Sequence, residues 1–332
     1  MPSIRRVSSL IAATALFSLP ALLALAATND SPEQKTPYWA YVLNPPADPN
    51  APPPDPSPRH VPNSSASFTY AEAQDYFHVA DWHPDGHPLM PSIVSSGRKP
   101  DVIACAFCHL PNGQGKPENS SLAGLPAAYI FEQMTDFQSG ARKSSEPKHV
   151  PVATMIARAA AHATAAESES AANYFSSMKP RPWIRVVETD TVPQTHPDHF
   201  MLVAIPHASS EPIGHRIIEM AENMDLTELR DDHSPFIAYV PKGSLARGES
   251  LALTGENGRT LPCNLCHGSD LRGQANVPSI AGRSPSYIFR QLFDMQSGAR
   301  HGATGIQMQP VVAHLSEDDM IALSAYLASL QP

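Results

Sequence analysis

CAFCHLPNGQGKPENSSLAGLPAAYIFEQMTDFQSGAR runs from Cys105 to Arg142, and CNLCHGSDLRGQANVPSIAGRSPSYIFRQLFDMQSGAR runs from Cys263 to Arg300; a shift of 158 residues lays one on the other without a gap. Gly115, Ser121, Ala123, Gly124, Tyr129, Ile130, Phe131, Gln133 and Asp136 recur as Gly273, Ser279, Ala281, Gly282, Tyr287, Ile288, Phe289, Gln291 and Asp294. The run Gln138-Ser139-Gly140-Ala141-Arg142 recurs whole as Gln296-Ser297-Gly298-Ala299-Arg300. Self-similarity at a fixed spacing means that one structural unit is present twice.

Each copy opens with Cys-X-X-Cys-His, and the two copies use all 4 cysteines of the chain. Two thiols at this spacing add across the two vinyl groups of one haem, and the adjacent histidine is then held beneath the iron as its proximal ligand. A disulfide inside each pair, or one zinc ion on four thiolates, leaves His109 and His267 without a purpose. The chemistry therefore implies two covalently bound haem c groups, one on Cys105, Cys108 and His109, the other on Cys263, Cys266 and His267.

Haem attachment of this kind follows export, and the N-terminus reads accordingly. Arg5-Arg6, an apolar stretch from Val7 to Leu25 and the small-x-small end at Ala24-Leu25-Ala26 form a secretory signal pattern over residues 1–26, which predicts a periplasmic protein. The formal charge is -9, and loss of Arg5 and Arg6 makes the exported chain more negative still, which argues against a nucleic-acid partner. With 332 residues, 42% hydrophobic residues and 35 prolines, the chain is expected to hold two domains of ordinary size joined by long loops.

On the two haem motifs and the repeat that follows them, the sequence resembles the two-domain, dihaem class I cytochromes c, of the cytochrome c4 kind. The resemblance implies a mainly α fold in which a first helix leads into the motif, a middle helix carries the repeated tyrosine and glutamine, and a last helix crosses the first. The second half fits with helices at Gly243 to Thr254, Pro285 to Ser297 and Glu317 to Leu330. Ser284-Pro285 is a cap with a first-turn proline, Gly298 is a stop, and Ser316 precedes three acids at the positive end of the last helix. The expected organisation is a signal peptide at 1–26, a proline-rich linker arm at 27–65, a first haem domain at 66–180, a connecting segment at 181–242 and a second haem domain at 243–332.

The resemblance also implies a methionine as the second axial ligand, before the last helix. Met308, in Gln307-Met308-Gln309-Pro310, stands there for the second haem. Counting back from Tyr174 by the Met308-to-Tyr326 spacing reaches Ile156, beside Met155, which becomes the candidate for the first haem with one inserted residue; His149 and His162 compete with it. The metal-ligand set is then His109, Met155, His267 and Met308. Pro278, whose carbonyl the family uses to hold the proximal histidine, is matched by Ser120, which puts that bond in doubt for the first half. Arg142 and Arg300 are either partners of haem propionates or solvated arginines.

Outside the repeat, Asn44 to Pro62 is dominated by proline and reads as an extended spacer or wrapping arm. Tyr70 to Val79 predicts a short helix. Asp81, His83, Asp85 and His87 invite a metal-site reading, against which stands a proline-rich turn whose Trp82 covers the haem domain. Within the connecting segment, Trp183 to Val187, Phe200 to Ile205, Gly214 to Met220 and Phe236 to Val240 predict strands, a small β-containing insertion that the family lacks.

A haem capped on both faces has no open iron position, so outer-sphere electron transfer is the expected work. The expected partners are redox proteins, a dehydrogenase as donor and a terminal oxidase or reductase as acceptor, with association to a membrane complex left open. The rival reading is a dihaem enzyme, peroxidase-like or thiosulfate-oxidising; the lack of a spare cysteine ligand weakens the second kind.

Overall fold

The second copy of the repeat folds as its local signals require. In the computed structural model, which describes residues 35–47 and 49–332, the chain from Thr36 to Pro332 forms one compact unit. The predicted signal at 1–26 lies outside the described residues. Among the described residues no helix is long and apolar enough to cross a membrane.

In the first half, single-turn helices α1 (Tyr70–Ala73) and α2 (Ser92–Ser95) precede α3 (Cys105–His109), which is the first motif itself. Helix α4 (Ala127–Ser139) stops at Gly140, whose left-handed φ of 76° ends the turn. Helix α5 (Val150–Met155) runs on into a π turn at Ile156–Ala160, and α6 (Ala165–Ser176) starts on a reciprocal cap between Thr164 and Glu167. The predicted helix from Tyr70 to Val79 is only four residues long: its capping box is formed, but Gln74 leaves the helical line to donate to the Glu228 carbonyl at 2.6 Å.

The connecting segment forms seven short strands, β1 (Ile184–Thr189), β2 (Thr191–Pro193), β3 (Thr195–Asp198), β4 (Met201–Ala204), β5 (Ser210–Pro212), β6 (Ile218–Ala221) and β7 (Phe236–Pro241), with α7 (Met224–Glu228) before the last. β7 is the centre of a three-stranded sheet, parallel to β1 with Ile184 opposite Phe236 and antiparallel to β6 with Ile218 opposite Tyr239. Two hairpin-like pairs, β2 with β5 and β3 with β4, lie outside it.

In the second half, α8 (Ser244–Thr254) leads to α9 (Asn264–His267), the second motif; α10 (Pro285–Gln296), α11 (Gln309–Val312) and α12 (Glu317–Ser329) follow. α8 crosses α12 so closely that a methyl group on Gly248 would lie 2.0 Å from the Ala322 carbonyl oxygen and 2.6 Å from Tyr326 Cβ. The first half has only the single turn of α2 where α8 stands in the second. The two copies thus share the region from motif to arginine and differ in what leads into it.

The proline-rich arm is anchored at its start. Trp39 to Val42 are buried in the core of the second half, with the Trp39 ring 4.5 Å from that of Phe289 and Tyr41 Oη donating to Asp294 Oδ1 at 2.6 Å. Burying side chains of this size stabilises the fold by about 2 kcal/mol each. Beyond Val42 the chain is exposed through most of the proline run before Val61 enters a small cluster with Ala73, Ala80, Trp82 and Leu229. Trp82 therefore covers the connecting segment rather than a haem domain, and its Nε1 donates to the Leu229 carbonyl at 2.7 Å.

Candidate functional site

Both motifs line one continuous cavity of about 590 Å³. Cys105, Cys108 and His109 form part of its wall in the first half, and Cys263, Cys266 and His267 in the second. Leu122, Leu125, Ile130, Ile280, Ile288 and Leu292 supply apolar lining from the two repeats, as a porphyrin requires. Met155 and Met308 also line it, the first from the end of α5 and the second from the turn before α11.

The two motif histidines are held alike. His109 Nδ1 lies 2.8 Å from the Ser120 carbonyl, and His267 Nδ1 lies 2.8 Å from the Pro278 carbonyl. Because the acceptor is backbone, serine serves as well as proline, and the expected difference between the halves is absent. A ring that donates from Nδ1 presents its Nε2 lone pair to a metal. Burial, the largest influence, pushes both histidines below the ordinary imidazole range and so favours that neutral, ligating form.

Of the residues competing with Met155, His162 is exposed and does not line the cavity, whereas His149 does and is only 1% exposed. Its Nδ1 has no hydrogen-bond partner, its ring sits edge-on to Tyr41, and burial holds it down at about 3.

Where the two crevices meet, the repeated residues exchange partners across a local two-fold. Arg142 Nη1 donates to Gln133 in its own half at 2.8 Å, and its Nη2 donates to Tyr287 at 2.9 Å and Gln291 at 3.1 Å in the other. Arg300 mirrors this, with Nη1 to Gln291 at 3.0 Å and Nη2 to Tyr129 and Gln133, both at 2.9 Å. The strands of chain after α4 and α10 pair antiparallel here, Lys143 N donating to Ala299 O and His301 N to Ala141 O, both at 2.8 Å. Arg283 adds a third stitch, reaching Ser121 O at 3.0 Å and Ala123 O at 3.1 Å.

Arg142 and Arg300 are 8% and 5% exposed, so neither is a solvated surface arginine. Their partners are neutral, and neither forms an ion pair with a carboxylate among the described residues. Arg300 Nε has no partner at all. Two buried guanidinium groups side by side, facing a shared cavity, call for anions. Haem propionates would supply that charge, and the donor set and the cavity fit two haem groups whose carboxylates Arg142 and Arg300 would hold.

The halves differ at the outer faces of the motifs. Phe107 and Leu265 are equivalent by the repeat, yet Phe107 is 6% exposed and Leu265 66%. Arg230, from the connecting segment, lies 3.4 Å over the Phe107 ring and donates to the Phe107 carbonyl at 2.7 Å, while Tyr76 packs against the same ring at 4.5 Å. Cys266 is exposed; Cys108 is not.

A cytochrome c family model matches residues 251–331. Cytochrome c-554(547) of Halothiobacillus neapolitanus is 38% identical to this chain over 85 residues, which make up 22% of this chain and 93% of that protein. The chain belongs to the cytochrome c family, in its dihaem form. Two longer relatives bear the name thiosulfate dehydrogenase electron acceptor. That of Thiomonas intermedia is 25% identical over 235 residues, 69% of this chain and 80% of its own length. That of Stutzerimonas stutzeri is 28% identical over 241 residues, 71% and 83% of the two chains. This dihaem cytochrome carries covalently bound haem c. The cross-partnered tyrosines and glutamines, given no role from composition or motif, were marked in the sequence only by recurring at one spacing. The cover of Arg230 over Phe107 leaves no local sequence signal.

Proposed function

We propose that this dihaem cytochrome is an exported electron carrier that takes single electrons from a dehydrogenase-type donor and passes them towards a terminal oxidase or reductase. The single observation that carries the reading is the shared cavity, with one motif at each end and a buried arginine pair at the junction. Haem c, when bound, supplies a one-electron iron couple at each end.

The chain's residues hold, tune and expose that couple. His109 with Met155 would ligate the first iron and His267 with Met308 the second, leaving no open position for substrate. The haem domains would comprise residues 66–180 and 243–332, with 181–242 as the connecting segment. Arg142 and Arg300 would fix the carboxylate edges at the seam and so set the two groups close together. Exposed Leu265 and Cys266 would form the docking edge, and Arg230 would close the corresponding edge of the first motif. Electrons would therefore enter and leave the molecule mainly beside the second motif. The two relatives called thiosulfate dehydrogenase electron acceptor support a dehydrogenase as donor.

The test is stopped-flow reduction of the purified holoprotein by a thiosulfate dehydrogenase with thiosulfate, alongside a potentiometric titration. Two reversible one-electron steps and reduction within the enzyme's turnover time are expected. A high-spin haem that binds cyanide readily, with no reversible couple, would instead favour the peroxidase-like reading.

A further inference from the structure

Far from both motifs in sequence, His83, Asp231, Asp232 and His233 bring one ligand atom each into a group in which all four lie within 4.8 Å of one another. The sequence groups Asp81, His83, Asp85 and His87; the fold keeps His87 with Asp81 and takes His83 and Asp85 away from them. His87 Nε2 turns to Asp81 at 3.1 Å, its Nδ1 faces Tyr174 Oη at 3.1 Å, and Asp85 is exposed. His83 alone points the other way, into the turn after α7.

There His83 Nε2 lies 3.0 Å from Asp231 Oδ1, which also accepts from the His233 amide at 2.9 Å. Asp232 Oδ1 lies 3.9 Å from the same His83 nitrogen and has no hydrogen-bond partner, although its side chain is only 2% exposed. A carboxylate oxygen buried without a donor is costly, and it is aimed into the group. The His233 ring stacks on His83 with centroids 3.8 Å apart, and its Nε2 accepts from Arg181 at 2.7 Å.

We propose that His83, Asp231 and Asp232 form the core of a zinc site, with the exposed His233 as the fourth ligand once its ring turns away from Arg181. Imidazole nitrogen mixed with carboxylate oxygen suits zinc, whereas calcium and magnesium are held by oxygen alone. A divalent ion balances the charge of both carboxylates. The ligands sit on a turn that is braced from several sides. Trp82 Nε1 holds Leu229 O at 2.7 Å, Asn112 Nδ2 holds Asp232 O at 2.6 Å, and Gln114 Nε2 holds Ser234 O at 3.1 Å. Such outer bonds orient ligands before the ion arrives.

The site has a consequence for the first motif. Asn112 is three residues beyond His109, and Arg230, one residue before the ligands, is the side chain that covers Phe107. Zinc ties residues 81–87 to this turn and keeps that cover in place.

Holoprotein stripped with chelator, which leaves the thioether-bonded haem untouched, is loaded with zinc chloride, freed of excess by gel filtration and assayed for zinc and iron by mass spectrometry. One zinc per two irons is expected, with a thermal midpoint several degrees above that of the stripped protein. His83→Ala and the near-isosteric Asp232→Asn are each expected to retain less than a tenth of that zinc and to lose the thermal gain. Asp232→Asn keeps the test decisive if His83→Ala does not fold. No zinc retained by the wild type, equal retention by Asp232→Asn, or calcium retained in place of zinc overturns the proposal.

Discussion

Replacing Arg300 by glutamine removes a positive charge from the seam while keeping a hydrogen-bonding side chain. The guanidinium is 5% exposed and has only neutral partners, so its charge is poorly screened by solvent. For a buried charge on the order of 10 Å from a redox centre, at an effective dielectric of about 20, the interaction is roughly 1.7 kcal/mol. For one electron that corresponds to about 70 mV, at 59 mV for each tenfold change in equilibrium. The sign is fixed: a nearby cation disfavours the more positive ferric state, so its loss lowers the potential. Because Arg300 touches both halves, both steps of the titration should move downward. The assay is a spectroelectrochemical titration of Arg300→Gln against wild type, after mass analysis has shown both haem groups attached. A shift below about 20 mV, or an upward shift, would refute the claim that these arginines sit as buried charges beside the haem carboxylates.

Met155→Ala and Met308→Ala should each abolish about half of the weak near-infrared band of methionine-bound ferric haem, and His149→Ala should leave it intact; loss of the band in His149→Ala alone would reassign the first haem. Gly248→Ala places a methyl group 2.0 Å from the Ala322 carbonyl oxygen, so α8 and α12 must part, at a cost of about 2 kcal/mol and a thermal midpoint lowered by roughly 5 °C. His149 is held at about 3, below its unfolded value, so its contribution to stability is complete above pH 6.5 and is lost as pH falls towards 3. The unfolding free energy of the holoprotein, measured by denaturant titration between pH 7 and 4, should fall by up to about 1.4 kcal/mol per pH unit from this residue, and His149→Asn should flatten that slope.

What the sequence made legible were features written in local chemistry. Cys-X-X-Cys-His names its ligand by spacing, and Ser284-Pro285 and Ser316 start α10 and α12 where caps predict. The strand at Trp183 to Val187 was placed within two residues of β1, because β-branched runs announce themselves. Illegible features depend on contacts distant in the chain. Tyr70 to Val79 has helical spacing, yet Gln74 finds a better partner 154 residues away. Asp81, His83 and His87 are neighbours in sequence, but His87 stays with Asp81 while His83 turns to Asp231. The change from Pro278 to Ser120 leaves the backbone carbonyl where it is, so the bond to the histidine forms in both halves.

The run Gln-Ser-Gly-Ala-Arg pairs with its own copy, and each arginine completes the wall of the other crevice. Each half thus treats the other as a second molecule of itself, joined by covalent tether instead of by concentration. A fragment carrying only residues 243–332 would expose this self-matching edge with its arginine unanswered, and two such fragments should rejoin through it as a symmetric pair. Because the two surfaces are one sequence used twice, a change at either Gln133 or Gln291 is felt at both ends of the molecule.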